Sequence, residues 1–77
     1  MPIHYSESDN KRRALYLAKA VTRNDKGAIA ALESEFPGES KRIETYQKVY
    51  RDPAAPGHAR MVNDVAAWYA TAGDWLE

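Results

Sequence analysis

From Met61 onward the apolar residues fall at Met61, Val62, Val65, Ala66, Trp68, Tyr69, Ala72, Trp75 and Leu76. At about 100° per residue they share one arc of roughly 160°. Asn63, Asp64, Ala67, Thr71 and Asp74 fill the other side. A strand needs alternation, and Asn63-Asp64 followed by Val65-Ala66-Ala67 breaks it. The spacing therefore predicts a helix that starts near Pro56-Gly57, with Gly57 or His58 at the N-cap. Gly73 is its natural stop, because glycine takes the left-handed C′ conformation without strain. Trp75 and Leu76 keep the phase of the stripe past Gly73, so they are expected to be buried, on a continued helix or on a last turn that docks back, with display to a partner as the alternative. Each aromatic ring here can remove on the order of 150–250 Å² from water. The C-terminal helix is thus expected to be the surface on which the other helices pack.

The rest of the chain follows the same period. Residues 1–5 read as an extended arm that Ile3 and Tyr5 can pin to the body. Ser6 and Asp9 have capping-box spacing, and Glu7 and Asp9 place acids where a helix N-terminus favours them. Helix 1 is predicted over about residues 7–23, with Ala14, Leu17, Ala18 and Val21 inward and Leu15 on the flank. Arg12, Tyr16, Lys19 and Arg23 fall almost diametrically opposite, within an arc of about 60°. Asn24-Asp25 ends this helix and caps the next, predicted over about residues 26–36 with Ala28, Ile29, Leu32 and Phe36 inward. Pro37-Gly38 reads as a breaker. Ser40 is the expected cap of a third helix with Ile43, Tyr46, Val49 and Tyr50 inward and Lys41, Glu44, Lys48 and Arg51 outside. Residues 51–57, stiffened by Pro53 and Pro56, form the longest loop. The short connections favour antiparallel neighbours. The expected fold is all-α, a single compact domain over residues 1–77 with about four helices packed on the C-terminal one.

Composition narrows the picture. Seventy-seven residues make one small domain, whose core leaves only a few kcal/mol of net stability. With no cysteine, disulfides and cysteinyl zinc sites are excluded. No apolar run approaches the roughly 18 residues of a bilayer span. The start Met1-Pro2-Ile3-His4 lacks the charged and apolar regions of a secretion signal. A cytoplasmic location without membrane attachment is the resulting expectation.

Net charge is zero, which argues against bulk nucleic-acid binding. Its distribution is uneven. Residues 1–26 carry six bases and three acids (+3), and residues 27–40 carry Glu33, Glu35 and Glu39 (−3). Residues 41–51 carry four bases against Glu44 (+3), and residues 52–77 carry Arg60 against four acids (−3). Alternation in step with the helices predicts attraction between neighbouring helices.

Catalytic equipment is missing from the pattern. A nucleophile–base pair would have to draw on His4 or His58, the only histidines. His4 lies on the arm, and His58 at a helix start reads as a capping or solvated side chain. No two histidines share a helix face, no metal-ligand spacing is present, and no glycine cluster is built to cradle phosphate. No enzymatic activity, metal or cofactor is expected.

What remains is surface. The stripe Arg12, Tyr16, Lys19 and Arg23 combines residue types that dominate binding hot spots, and Lys41, Lys48 and Arg51 add a basic edge on the third helix. These features point to a non-enzymatic protein-binding module acting on a partner with an acidic surface. In size and style it is comparable to the small inhibitors and regulators of bacteria and their mobile elements. Self-association into a homo-oligomer belongs to the same expectation. The alternative is a helix-turn-helix DNA-binding regulator, presenting Lys41, Arg42, Gln47, Lys48 and Arg51 to a duplex. Its weaknesses are the proline in the turn, the acidic preceding helix and the zero net charge.

Overall fold

The computed structural model describes residues 6–73, so the expected arm at residues 1–5 and the docking of Trp75 and Leu76 lie outside the described residues. Among the described residues there are five helices and no strand: α1 (Glu7–Arg23), α2 (Lys26–Glu35), α3 (Pro37–Ser40), α4 (Ile43–Arg51) and α5 (His58–Ala72). The protein is a small all-α domain in which the C-terminal helix packs against others.

Local chemistry sets the boundaries of α1 and the start of α2. At the start of α1 the Asp9 amide donates to Ser6 Oγ at 3.1 Å, and the Ser6 amide donates to Asp9 Oδ2 at 3.2 Å. This reciprocal box satisfies two amides that the first turn leaves without partners, each typically worth about 1 kcal/mol. At the other end Asn24 adopts a left-handed conformation (φ 51°) and its amide returns to the last turn. Asp25 then caps α2, its carboxylate accepting from the Ala28 amide at 3.0 Å.

The Pro37-Gly38 breaker ends α2 at Glu35 as expected, but the break is itself helical. Proline has no amide proton to lose in a first turn, so Pro37 opens the one-turn helix α3 rather than ending order. The Phe36 carbonyl accepts from the Glu39 and Ser40 amides at 2.9 and 3.2 Å. Ser40 does not cap the following helix; its hydroxyl donates back to the Pro37 carbonyl at 2.9 Å. Helix α4 begins after Lys41-Arg42 with no side-chain cap. Phe36 lies just past α2 yet is buried as expected.

The interior is a single cluster of Leu17, Ala20, Val21, Ala28, Leu32, Phe36, Ile43, Met61 and Val65. Helix α1 packs against α2, α4 and α5, while α5 packs on α1 and α4. The element that touches most of the fold is therefore the first helix. The C-terminal helix still contributes Met61, Val65 and Ala72 to the buried set, with Trp68 and Tyr69 half-buried at its margin. Trp68 meets Tyr46 of α4 at a ring-centroid distance of 6.0 Å and 43°. Full burial of a leucine such as Leu17 or Leu32 contributes about 1.5–3 kcal/mol relative to exposure.

Because three helices cover α1, its buried arc is wider than the single stripe predicted. Ala20 is fully buried, and Tyr16, expected opposite the core, is half-buried and packed against the cluster. The arc of α5 is correspondingly narrower. Val62 is 44% exposed and Ala66 is exposed, although both are in the apolar stripe of the sequence.

The expected charge attraction between helices is seen between α1 and the α2–α3 segment, whereas no ion pair joins α4 to α5 among the described residues. Arg12 pairs with Asp9 and, at 3.1 Å, with Glu35 beyond the turn; Arg13 pairs with Glu39 at 2.9 Å. These contacts set the end of α2 and the short α3 beside the first half of α1, so α2 runs antiparallel to α1. In the second half of the molecule Tyr46 meets Trp68, and Val49 meets His58. Helices α4 and α5 therefore run antiparallel as well.

Candidate partner-binding surface

The six expected surface residues do not form one face. Arg12 is committed internally, its guanidinium divided between Asp9 and Glu35. Tyr16 lies against the core, and burial together with the nearby Glu35 carboxylate raises its phenol above the ordinary range, with Arg12 opposing. Lys19 is half-buried. Arg23, Lys48 and Arg51 are exposed. Lys48 contacts Glu44 at 3.4 Å in the i,i+4 arrangement, but both side chains are largely in solvent, at 76% and 82% exposure. Such a pair holds its charge weakly and leaves it available to a partner.

What brings the exposed bases together is Gln47. Its side-chain amide donates to the Ala20 carbonyl and to Asn24 Oδ1, both at 2.9 Å. The bonds fasten the middle of α4 to the end of α1. Lys48 follows Gln47 directly and Arg51 stands one turn on, while Arg23 precedes Asn24. The basic edge of α4 and the last base of α1 thus occupy the same end of the molecule, joined by Lys26 at the start of α2. In sequence Gln47 was a candidate for contacting DNA; its donors are used within the fold. Lys41, Arg42, Lys48 and Arg51 of that candidate set are exposed.

His58 is a fastener. Its Nδ1 lies 2.9 Å from the Val49 carbonyl, and a carbonyl only accepts, so Nδ1–H is the donor. The imidazole thereby satisfies a last-turn carbonyl of α4 and fixes the start of α5. Among the described residues there is no cluster of three or more potential metal ligands. No described helix is long and apolar enough to cross a membrane.

A second feature escaped the sequence. Between α4 and α5 an open cleft of about 270 Å³ is lined by Thr45, Tyr46, Val49, Pro56, Arg60 and Met61. Tyr46, Val49, Pro56 and Met61 give it an apolar floor, and Asp64 stands one turn beyond Arg60 on the same wall. The Arg60 side chain is exposed and has no ion-pair or hydrogen-bond partner among the described residues. The only signal in the sequence is a single base, Arg60, immediately before the apolar stripe that begins at Met61. Nothing in the letters indicates that α4 and α5 leave a cleft between them.

No protein-family model, no curated protein and no solved structure matches this chain.

Proposed function

We propose that the protein is a non-enzymatic protein-binding module that acts as a small inhibitor or regulator in the cytoplasm by covering an acidic patch on a partner protein. The observation that carries the reading is the Gln47 joint, which puts exposed Lys48 and Arg51 at the same end as exposed Arg23 and Lys26. Bases held on a rigid helical frame steer an acidic partner and lose little side-chain freedom to backbone rearrangement on docking. The DNA-binding alternative draws on some of the same bases but loses Gln47.

Simultaneous reversal of Arg23, Lys48 and Arg51 to Glu tests the proposal, because all three are exposed and the helical spectrum should be kept. Wild-type protein on a resin should retain a partner from a lysate, and the reversed protein should lose most of it. Undiminished capture by the reversed protein would sink the surface assignment. A mobility shift with random duplex, steeply weakened by salt, would move the function to the DNA-binding class.

A further inference from the structure

We infer that the outward ridge of α4 is a docking strip, and that the element it takes from the partner is an acidic helix laid along it. The inference rests on the protein-binding reading above and deepens it by naming that element. Lys41, Glu44, Lys48 and Arg51 recur at helical spacing within an arc of about 80° and span roughly 15 Å along the axis. All four are exposed, as is Arg42 beside them. On its inner side α4 is pinned by Gln47 to the end of α1, by Tyr46 against Trp68 and by the Val49 carbonyl to His58. The ridge is therefore displayed on a fixed backbone.

The charge on this ridge is not used by the fold. Bases of α1 are met by the acids that follow, Arg12 by Glu35 and Arg13 by Glu39. Residues 41–51 carry four bases against one acid, and their only ion pair among the described residues is Lys48 with Glu44, both in solvent. Lys48 and Arg51 lie in the last turn of α4, where the carbonyl ends favour a base. Lys41 and Arg42 have no such reason. They precede the first turn of a helix that lacks a side-chain cap, the end at which a base is unfavourable. Bases kept where local structure disfavours them point to a role outside the fold. The pattern along the strip is base, acid, base, base, and Asp52 just beyond it is occupied by the Ala54 amide at 3.0 Å. A helix can match this pattern turn by turn, with carboxylates against the bases and a neutral or basic residue against Glu44. A continuous phosphate backbone would hold like charge against Glu44.

The probe is an alanine-based helical peptide of about fifteen residues with its glutamates on one face, one per turn. It is compared with a peptide of the same composition and helicity whose glutamates are spread around the helix, in a ¹H–¹⁵N NMR titration of the full chain at low salt. The one-faced peptide should give saturable shifts centred on residues 41–51, with Kd on the order of a millimolar. The spread peptide should bind several-fold more weakly. Lys41→Gln should weaken the one-faced peptide several-fold without lowering Tm, because the base lost is unfavourable to the helix, whereas Glu44→Gln should tighten binding. Equal binding of the two peptides, shifts centred away from α4, or Lys41→Gln binding like wild type would each overturn the inference, as would a random duplex that binds more tightly than the one-faced peptide. Lys41 is not among the residues reversed in the capture experiment. Loss of capture on that reversal, with peptide binding indifferent to Lys41, would leave the protein-binding reading standing and remove the ridge.

Discussion

Replacing Gln47 with Ala removes two hydrogen bonds that join α4 to the end of α1. Each neutral bond of this kind nets about 0.5–1.5 kcal/mol. The loss is smaller than the full sum, because the Ala20 carbonyl keeps the Asn24 amide at 3.2 Å and half-buried Asn24 regains water. The expected cost is therefore about 1–2 kcal/mol. In a domain of this size each kcal/mol moves the melting temperature by about 4–8 °C, so Gln47→Ala should lower Tm by roughly 5–15 °C. Lys48→Ala is the neighbouring control: its pairing with Glu44 is exposed and should be worth no more than about 0.5 kcal/mol. Thermal and urea unfolding followed by far-ultraviolet circular dichroism reads both. If the two variants melt together, Gln47 is not a joint, and the arrangement of Arg23, Lys48 and Arg51 that depends on it loses its support.

Other expectations follow from the same contacts. Leu17→Ala, at a fully buried position on α1, should cost about 2–5 kcal/mol and leave little or no cooperative transition, whereas Val62→Ala should stay within about 0.5 kcal/mol; urea titration separates them. Asn24→Ala should destabilise by about 1–2 kcal/mol, since it forces a Cβ residue without a polar side chain into φ 51° and removes an acceptor of Gln47. Asn24→Gly relieves the backbone part and should melt higher than Asn24→Ala. Tyr16 has a folded-state pKa raised above its ordinary 10.0, by burial first and then by Glu35. Its contribution is complete below pH 10 and is lost as pH rises through the folded value, so Tyr16→Phe should flatten the fall of Tm above pH 10.

The readable parts of the fold were those decided by near neighbours in the chain. Ser6 with Asp9, Asn24 with its left-handed turn and Asp25 with the Ala28 amide are all contacts within a few residues, and they give the ends of α1 and the start of α2 as the letters suggest. Tyr16 and Val62 differ from expectation because helical period gives the direction of an apolar arc and not the number of helices that cover it. Three neighbours widen the buried arc of α1 past Ala20 to Tyr16, while α5, with two, leaves Val62 and Ala66 in solvent. Pro37-Gly38 was ambiguous for a local reason: proline is as compatible with a helical first turn as with a loop. For the surface, charge type was legible but pairing was not. Arg12 and Arg23 look alike along the helix, and only the return of α2 places Glu35 beside one of them. Arg60 and the cleft depend on how far α4 covers α5, which no residue spacing encodes.

The architecture rests on the first helix serving as the common wall of the interior, with the basic edge and the cleft carried outside it. Amide hydrogen exchange by NMR reads this directly, because the most deeply packed segment opens only with the whole fold. The slowest amides should belong to α1 around Leu17–Val21, with the exposed ridge of α5 near Val62 and Ala66 exchanging sooner. Rapid exchange through Leu17–Val21 while α5 stays protected along its length would contradict it.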